Sequence, residues 1–128
     1  MCTSLVCSAS WSQASKVSSH RSQRNNQMLF AIFGHDRNGA LAQRLEVRPQ
    51  HLARIDQLVG ENRILIAGPL PKATDESSNE EGFHGSLIVG DFDSIEDARE
   101  WAEGDPYFTE GVFEKVDVFP FRQVRPQA

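Results

Sequence analysis

His51 is a titratable side chain that its sequence context directs into the fold. On a helix it shares one face with Ile55 and Leu58, at spacings of four and seven residues. A buried imidazole needs a hydrogen-bond partner, and near neutral pH it can accept or release a proton. Two interpretations follow: a core histidine bonded to a carbonyl or carboxylate for stability alone, or the chemical centre of a pocket.

Arg48 is a candidate for binding an anionic substrate, because it lies one helical turn before His51. Arg44 and Arg54 have the same chemistry but a weaker positional argument. The competing interpretation of Arg48 is an ion pair with Glu46 or Asp56 on the helix surface.

Four further candidates lie at predicted strand ends. Ser86 could present its hydroxyl to a ligand, although a small residue at a strand start also serves packing. Gly68 and Pro69 are expected to shape a pocket rim through backbone geometry. Asp36 could contribute a carboxylate, although an aspartate in such a loop is typically solvated or part of a turn.

The chain offers little for a metal or a nucleotide. Imidazole and carboxylate groups are present at His35, Asp36, His51 and His84, but no pair has metal-ligand spacing on one element. Segment 34–39 contains glycines but lacks the phosphate-loop lysine and the spacing of a dinucleotide fingerprint. We therefore expect no metal, flavin or nucleotide cofactor.

Composition excludes several classes of protein. The 128 residues, 39% of them hydrophobic and 24% charged, fit one globular domain. The first 27 residues hold three basic residues and no acidic one, so with a net charge of −5 the remaining residues carry −8, which disfavours nucleic-acid binding. Both cysteines, Cys2 and Cys7, also lie there, so the rest has no thiol for a disulfide, zinc site or nucleophile. No apolar run reaches the length of a membrane span.

Residues 1–27 are predicted to be a disordered extension, because they contain eight serines and no sustained hydrophobic period. A basic, acid-free, serine-rich start also resembles an organelle transit peptide. An extension upstream of a start at Met28 is the plainer explanation. The folded domain is expected to comprise residues 28–128.

The remaining pattern predicts the element order βαββαβ. Strands are expected at 28–34, 63–70, 84–92 and 112–121, helical turns at 40–46, a firmer helix from Pro49 to Gly60, a solvated acidic loop at 72–82, and a helix capped by Ser94 and stopped by Gly104. This order fits a ferredoxin-like α+β fold, in which two helices cover one face of a four-stranded antiparallel sheet.

The last predicted strand is apolar on both faces. Val112, Val116 and Val118 fall on one side, with Phe113, Phe119 and Phe121 on the other. A strand covered on both sides in so small a domain implies that a second chain hides the exposed sheet face. We therefore expect a homodimer.

Five segments in order resemble the YCII family: 44–54 (RLEVRPQHLAR), 66–69 (IAGP), 82–86 (GFHGS), 93–98 (DSIEDA) and 101–107 (WAEGDPY). The resemblance implies a dimeric α+β barrel whose active site contains a histidine and an aspartate, which fall here on His51 and Asp105. It also implies a fold shared with muconolactone isomerases and cofactor-free monooxygenases. Some relatives that carry both residues are dehydrochlorinases of hydroxylated aromatic rings, while most members have no assigned reaction.

A carboxylate bonded to one imidazole nitrogen fixes the tautomer and leaves the other nitrogen to move a proton. With His51 and Asp105 in these roles, we expect a cytoplasmic, cofactor-independent lyase, dehydrochlorinase or isomerase acting on a small hydroxylated, chlorinated or aromatic compound. The rival hypothesis is a non-catalytic dimeric module that binds a small molecule. For Asp105 alone, an ordinary turn or cap is the competing interpretation.

Overall fold

The computed structural model describes residues 28–76 and 78–126. The predictions made for residues 1–27 lie outside this range. Eight elements follow one another along the chain: β1 (Leu29–Asp36), α1 (Leu41–Gly60), β2 (Ile64–Pro71), α2 (Ser78–Glu81), β3 (Phe83–Asp91), α3 (Ile95–Glu103), α4 (Pro106–Thr109) and β4 (Phe113–Phe121). All three strand pairings are antiparallel, and the sheet order is β2-β3-β1-β4. The predicted ferredoxin-like α+β fold is confirmed.

The two faces of the sheet follow from the alternation of its side chains. Phe30, Ile32 and Ile88 point to the inner face, where they pack with Ile55 and Leu58 of α1 in the core. Ala98 and Ala102 bring α3 against the same core. The predicted inward face of α1 is confirmed, since His51, Ile55 and Leu58 are all buried.

Helix α1 is continuous, whereas the sequence predicted a separate firmer helix beginning at Pro49. A proline inside a helix removes one hydrogen bond and crowds the carbonyl four residues earlier, here that of Leu45. Leu45 and Pro49 are both exposed, so the carbonyl that loses its partner lies on the solvent side and stays hydrated. The helix therefore places Arg44, Arg48 and His51 on one rigid element.

Phe113 lies on the inner face, which corrects its predicted place beside Phe119 and Phe121. The register between β1 and β4 shifts after His35: that residue opposes Lys115, and Asp36 opposes Phe113. One extra residue on β4 reverses the side-chain alternation beyond it. The ring of Phe113 is consequently buried, and its edge meets Tyr107 with centroids 5.4 Å apart.

Helix α3 begins and ends at the capping residues that the sequence predicts, Ser94 and Gly104. The Ser94 hydroxyl accepts a hydrogen bond from the Asp97 backbone N–H, and α3 ends at Glu103 next to Gly104. The expected turn at 105–108 is a four-residue helix, α4, because Pro106 suits its first position and Asp105 caps it. Asp105 is thereby fixed at the junction of α3 and α4.

Gly34 makes room for the Phe113 ring. A Cβ at Gly34 would overlap that ring, which cannot swing away because it is buried against Tyr107. We predict that Gly34→Ala lowers the free energy of unfolding by about 1–3 kcal/mol through overpacking. Equilibrium unfolding in urea measures this change in the free energy of unfolding. The matched control is Gly60→Ala, where a Cβ meets nothing within 4 Å; equal losses in both variants would contradict the prediction.

Candidate functional site

His51 and Asp105 are hydrogen-bonded inside the fold. The His51 Nδ1 and Asp105 Oδ2 atoms lie 2.7 Å apart, and both side chains are almost fully buried. Helix α1 supplies the imidazole and the α3–α4 junction supplies the carboxylate. The structure thus brings together two residues 54 positions apart in the chain.

Two further donors complete the surroundings of Asp105. The backbone N–H of Tyr107 donates to Oδ2 at 2.9 Å, and Arg54 Nη1 donates to Oδ1 at 3.1 Å. Since Asp105 meets donors at both oxygens, the His51 Nδ1 is assigned as a donor as well. His51 Nε2 is then the nitrogen with a lone pair available. The turn interpretation of Asp105 also describes the structure, because one carboxylate caps α4 and bonds His51.

Arg54 is held from outside the site. Its guanidinium donates to the Trp101 carbonyl at 3.0 Å and lies 4.6 Å from the centroid of the Trp101 ring. The side chain is 29% exposed, whereas that of Asp105 is 3% exposed. Arg54 therefore neutralises a buried carboxylate from the solvent side and does not face the cavity in which a substrate would bind.

Tyr107 stacks on His51. The two ring centroids are 3.9 Å apart and the planes differ by 10°. Burial is the largest influence on Tyr107 and raises the pKa of its phenol above 10.0, while the positive charges of Arg44 and Arg48 act in the opposite direction. The phenol therefore stays protonated near neutral pH and offers an O–H donor.

Arg44 forms the second buried charge pair. Its Nε and Nη2 atoms donate to the two carboxylate oxygens of Asp36 at 2.9 and 3.0 Å, and Nη2 also donates to the Ser86 hydroxyl at 2.9 Å. The guanidinium carbon lies 4.7 Å from the Tyr107 ring centroid and 4.8 Å from that of Phe83. Arg44 thus joins β1, β3 and α4 at the cavity wall.

A cavity of about 210 Å³ lies between α1 and the inner face of β2 and β3. Its walls combine five side chains that carry polar groups with apolar ones; they are Arg44, Arg48, His51, Leu52, Ile55, Ala67, Gly68, Pro69, Ser86, Ile88 and Tyr107. A mostly apolar hollow with a few convergent polar groups is typical of a small-molecule site.

The structure places the predicted site residues unequally. Arg48, His51, Gly68, Pro69 and Ser86 line the cavity directly. Asp36 and Asp105 do not line it: each stands behind a cavity residue, as the partner of Arg44 and of His51.

Three residues that sequence reasoning left out of the site contribute to it. Arg44 and Tyr107 line the cavity, and Arg54 bonds Asp105. The position of Arg44, two helical turns before His51, indicated that it could face the site. Its hydrogen bonds to β1 and β3 could not be predicted from spacing. For Tyr107, the sequence offered no indication of a place in the site other than its position two residues after Asp105.

The other candidate ligands for a metal lie apart from the cavity. His35 pairs with Asp117, with His35 Nε2 2.8 Å from Asp117 Oδ2, and the His35 ring stacks on Phe33. Within the part of the chain that the structure describes, no group of three or more histidine, cysteine or acidic residues has metal-binding geometry. Among the same residues, no helix is both long and apolar enough to cross a bilayer.

Fold and site together define a class: a ferredoxin-like α+β domain with a buried histidine–carboxylate pair beside a ring-sized cavity. The profile of the YCII-related domain matches residues 28–122. The chain belongs to the YCII family. It is 44% identical over 97 residues to Protein YciI of Escherichia coli O6:H1, and 46% identical over 97 residues to an uncharacterised protein of Haemophilus influenzae; each alignment covers 76% of this chain and 99% of the relative.

A solved structure is also similar. It is the 5-chloro-2-hydroxyhydroquinone dehydrochlorinase TftG of Burkholderia phenoliruptrix AC1100, in complex with 2,5-dihydroxybenzoquinone. The match has a TM-score of 0.66 and 27% sequence identity, and covers 75% of this chain and 95% of that one. A chain with this fold therefore holds a small ring compound.

The raised pKa of Tyr107 gives a direct prediction, because Tyr107 is the only tyrosine in the sequence. The native state binds the phenolic proton more tightly than the unfolded chain, so this burial stabilises the fold below pH 10 and the contribution is lost as the pH rises through the native pKa. We expect tyrosinate absorbance in the native protein to appear at a higher pH than in urea. Tyr107→Phe supplies the blank, and a native midpoint at or below the urea value would contradict the assignment.

Proposed function

We propose that the protein is a small cofactor-independent enzyme that uses His51 and Asp105 for general acid-base chemistry. The observation that carries the proposal is the 2.7 Å bond between His51 Nδ1 and Asp105 Oδ2, made by a histidine that lines a cavity. Asp105 holds the imidazole in one orientation and tautomer, and His51 Nε2 accepts a proton from the ligand or returns one.

The reaction class is a lyase, dehydrochlorinase or isomerase type on a small hydroxylated compound. A hydroxyl, or a carbon acid beside a carbonyl, transfers its proton to His51 Nε2. The electron pair left behind either shifts a double bond or expels chloride with its bonding pair. Both outcomes conserve electrons, so neither requires an oxidant or a reductant. The similarity to TftG, a dehydrochlorinase, supports the choice of this class.

The cavity walls supply the stabilisation that proton transfer alone lacks. General acid-base assistance contributes roughly 10² to 10⁴-fold, so orientation and electrostatics must provide the rest. Arg44 is fixed by Asp36 and Ser86, so its guanidinium stands at the cavity wall as a hydrogen-bond donor that needs no reorganisation. The protonated Tyr107 phenol adds a donor beside His51. An oxyanion formed on the ligand would be stabilised by both.

His51→Asn tests catalysis directly. Asparagine keeps a side chain that can hydrogen-bond Asp105 but has no ring nitrogen that exchanges a proton at neutral pH. We predict that turnover of a hydroxylated or chlorinated ring compound falls about 10² to 10⁴-fold while ligand binding changes little. Turnover is followed by absorbance or chloride release, and binding by calorimetry.

Leu52→Ala is the control for the loss of a cavity-lining side chain, because Leu52 adjoins His51 in the cavity wall but has no acid-base group. Normal turnover in His51→Asn would refute the catalytic role. Binding without any turnover in the wild type would instead support the rival function, a non-catalytic binding module.

We further propose that the protein works as a homodimer in the cytoplasm, through the outer face of the sheet. This outer face comprises Phe33, Ile66, Leu70, Leu87, Phe119 and Phe121, with alternation opposite to the core residues. Ile66 and Phe119 are 59% and 57% exposed and lie in one row across the sheet, together with Val89 and Ala31. An apolar surface of this extent favours burial against a second copy.

Sedimentation velocity at micromolar concentration tests the dimer. We predict a two-chain species for the wild type and a monomer for Phe119→Glu, because an interface would bury the new charge without a partner. Val59→Glu is the matched control, since Val59 is 54% exposed but lies on α1, away from the outer face. A monomeric wild type, or equal dissociation of both variants, would refute the proposed interface.

A further inference from the structure

A second hollow adjoins the cavity beside His51. This outer groove, about 300 Å³ in volume, is lined by Arg44, Leu45, Arg48, Pro69 and Phe83. Arg44, Arg48 and Pro69 line both spaces. A ligand bound beside His51 that extended toward the outer groove would therefore meet the Arg44 and Arg48 guanidinium groups.

The two guanidinium groups differ in whether a carboxylate neutralises their charge. Both Arg44 contacts to Asp36 are short and buried, so that pair contributes little net charge. Arg48 makes neither a hydrogen bond nor an ion pair within residues 28–76 and 78–126, and the expected alternatives Glu46 and Asp56 do not engage it. One positive charge at the junction is thus left without a counterion among the described residues.

The remaining charges near the cavity do not offset Arg48. Asp105 meets His51 and Arg54, so its negative charge is already opposed. At the Tyr107 phenol, the charges of Arg44 and Arg48 act to lower the pKa and those of Asp105 and Asp36 act to raise it, and the two arginines are the larger of these four influences. The junction is therefore electropositive on the side where the ligand would sit.

Size limits the ligand on the inner side. An apolar cavity of about 150 Å³ holds one benzene molecule, and the inner cavity here is about 210 Å³. By volume, the inner cavity accommodates one substituted six-membered ring, and Ile55, Ile88 and Tyr107 contribute to its lining. A substituent that extended from such a ring toward the outer groove would meet Arg48 and Pro69, which line both spaces.

We propose that the substrate is a monocyclic hydroxy acid, whose ring occupies the inner cavity and whose carboxylate binds Arg48 at the entrance to the outer groove. A monoanion matches the single unopposed guanidinium, and a planar carboxylate suits its forked donors. The inference rests on the proposed function for the location of the ring beside His51. It adds the charge of the substrate and makes Arg48 the residue that determines specificity.

Two isosteric ligand pairs test the charge directly. We would measure by calorimetry the affinities of 3- and 4-hydroxybenzoate and of the neutral 3- and 4-hydroxybenzamide for the full chain. The wild type should bind at least one acid about tenfold more tightly than its amide, as a charge-assisted contact provides. Arg48→Gln should bring this ratio close to one, and Arg48→Lys should keep part of it, since lysine retains the charge but not the fork.

Arg122→Gln is the matched control, because it removes one positive charge from an exposed residue that lines neither hollow. The proposal is overturned by equal affinities for acid and amide, by an unchanged ratio in Arg48→Gln, by an equal loss in the control, or by no binding of either acid. All of these outcomes are measured by binding alone and do not require turnover. A preference for the acid without catalysis would keep Arg48 as the carboxylate-binding residue of a non-catalytic site and overturn the proposed function, whereas catalysis without the preference would keep the proposed function and overturn the role of Arg48.

Discussion

The buried carboxylate of Asp105 is the constraint around which the site is organised. Hydrogen bonds from His51, Arg54 and the Tyr107 backbone connect it to α1 and to the first turn of α4. Removing one partner from a buried charge costs several kcal/mol, roughly 3–5, because the other charge is left unpaired. Helix α1 and the α3–α4 junction are therefore held in register by the same contacts that orient the imidazole.

A second set of contacts fixes the positions of side chains across the cavity wall. Phe83, Arg44, Tyr107 and His51 form successive contacts, each ring or guanidinium within 5 Å of the next. Arg44 is anchored in turn by Asp36, so the positions of His51 and Tyr107 depend on β1 as well as on the helices. Gly34 contributes to the same arrangement, because its missing side chain leaves room for the Phe113 ring, which packs against Tyr107. A site built on packed elements of this kind is preorganised.

Sequence reasoning succeeded where the signal was periodic or local. The buried face of α1 follows from the spacing of His51, Ile55 and Leu58, and the helix at Ser94 follows from its cap. It failed where two signals competed or where the partner was distant. Pro49 indicated a new helix start, but its exposed position lets α1 continue. Phe113 changed faces because of an irregularity between strands that no local pattern encodes.

The candidate site shows the same division. His51 could be chosen from spacing, and the pairing with Asp105 was indicated by the family resemblance, not by any period. The bonds from Arg44 to Asp36 and Ser86 join three elements, and the longer of them spans 42 positions in the chain, so only the folded register reveals them. Polar partners across a sheet depend on strand order, which a single sequence specifies only through the whole fold.

The position of the cavity at the sheet edge unites two physical requirements. β2 is an edge strand, and an exposed edge invites pairing with another strand. Pro69 and Pro71 limit such pairing, because proline has no N–H to donate. The same Pro69, with the side-chain-free Gly68, also lines the cavity beside His51. Substituting Pro69 would therefore alter the cavity wall and the protection of the edge together, which explains why the strand beside the cavity contains a residue that a central strand would exclude.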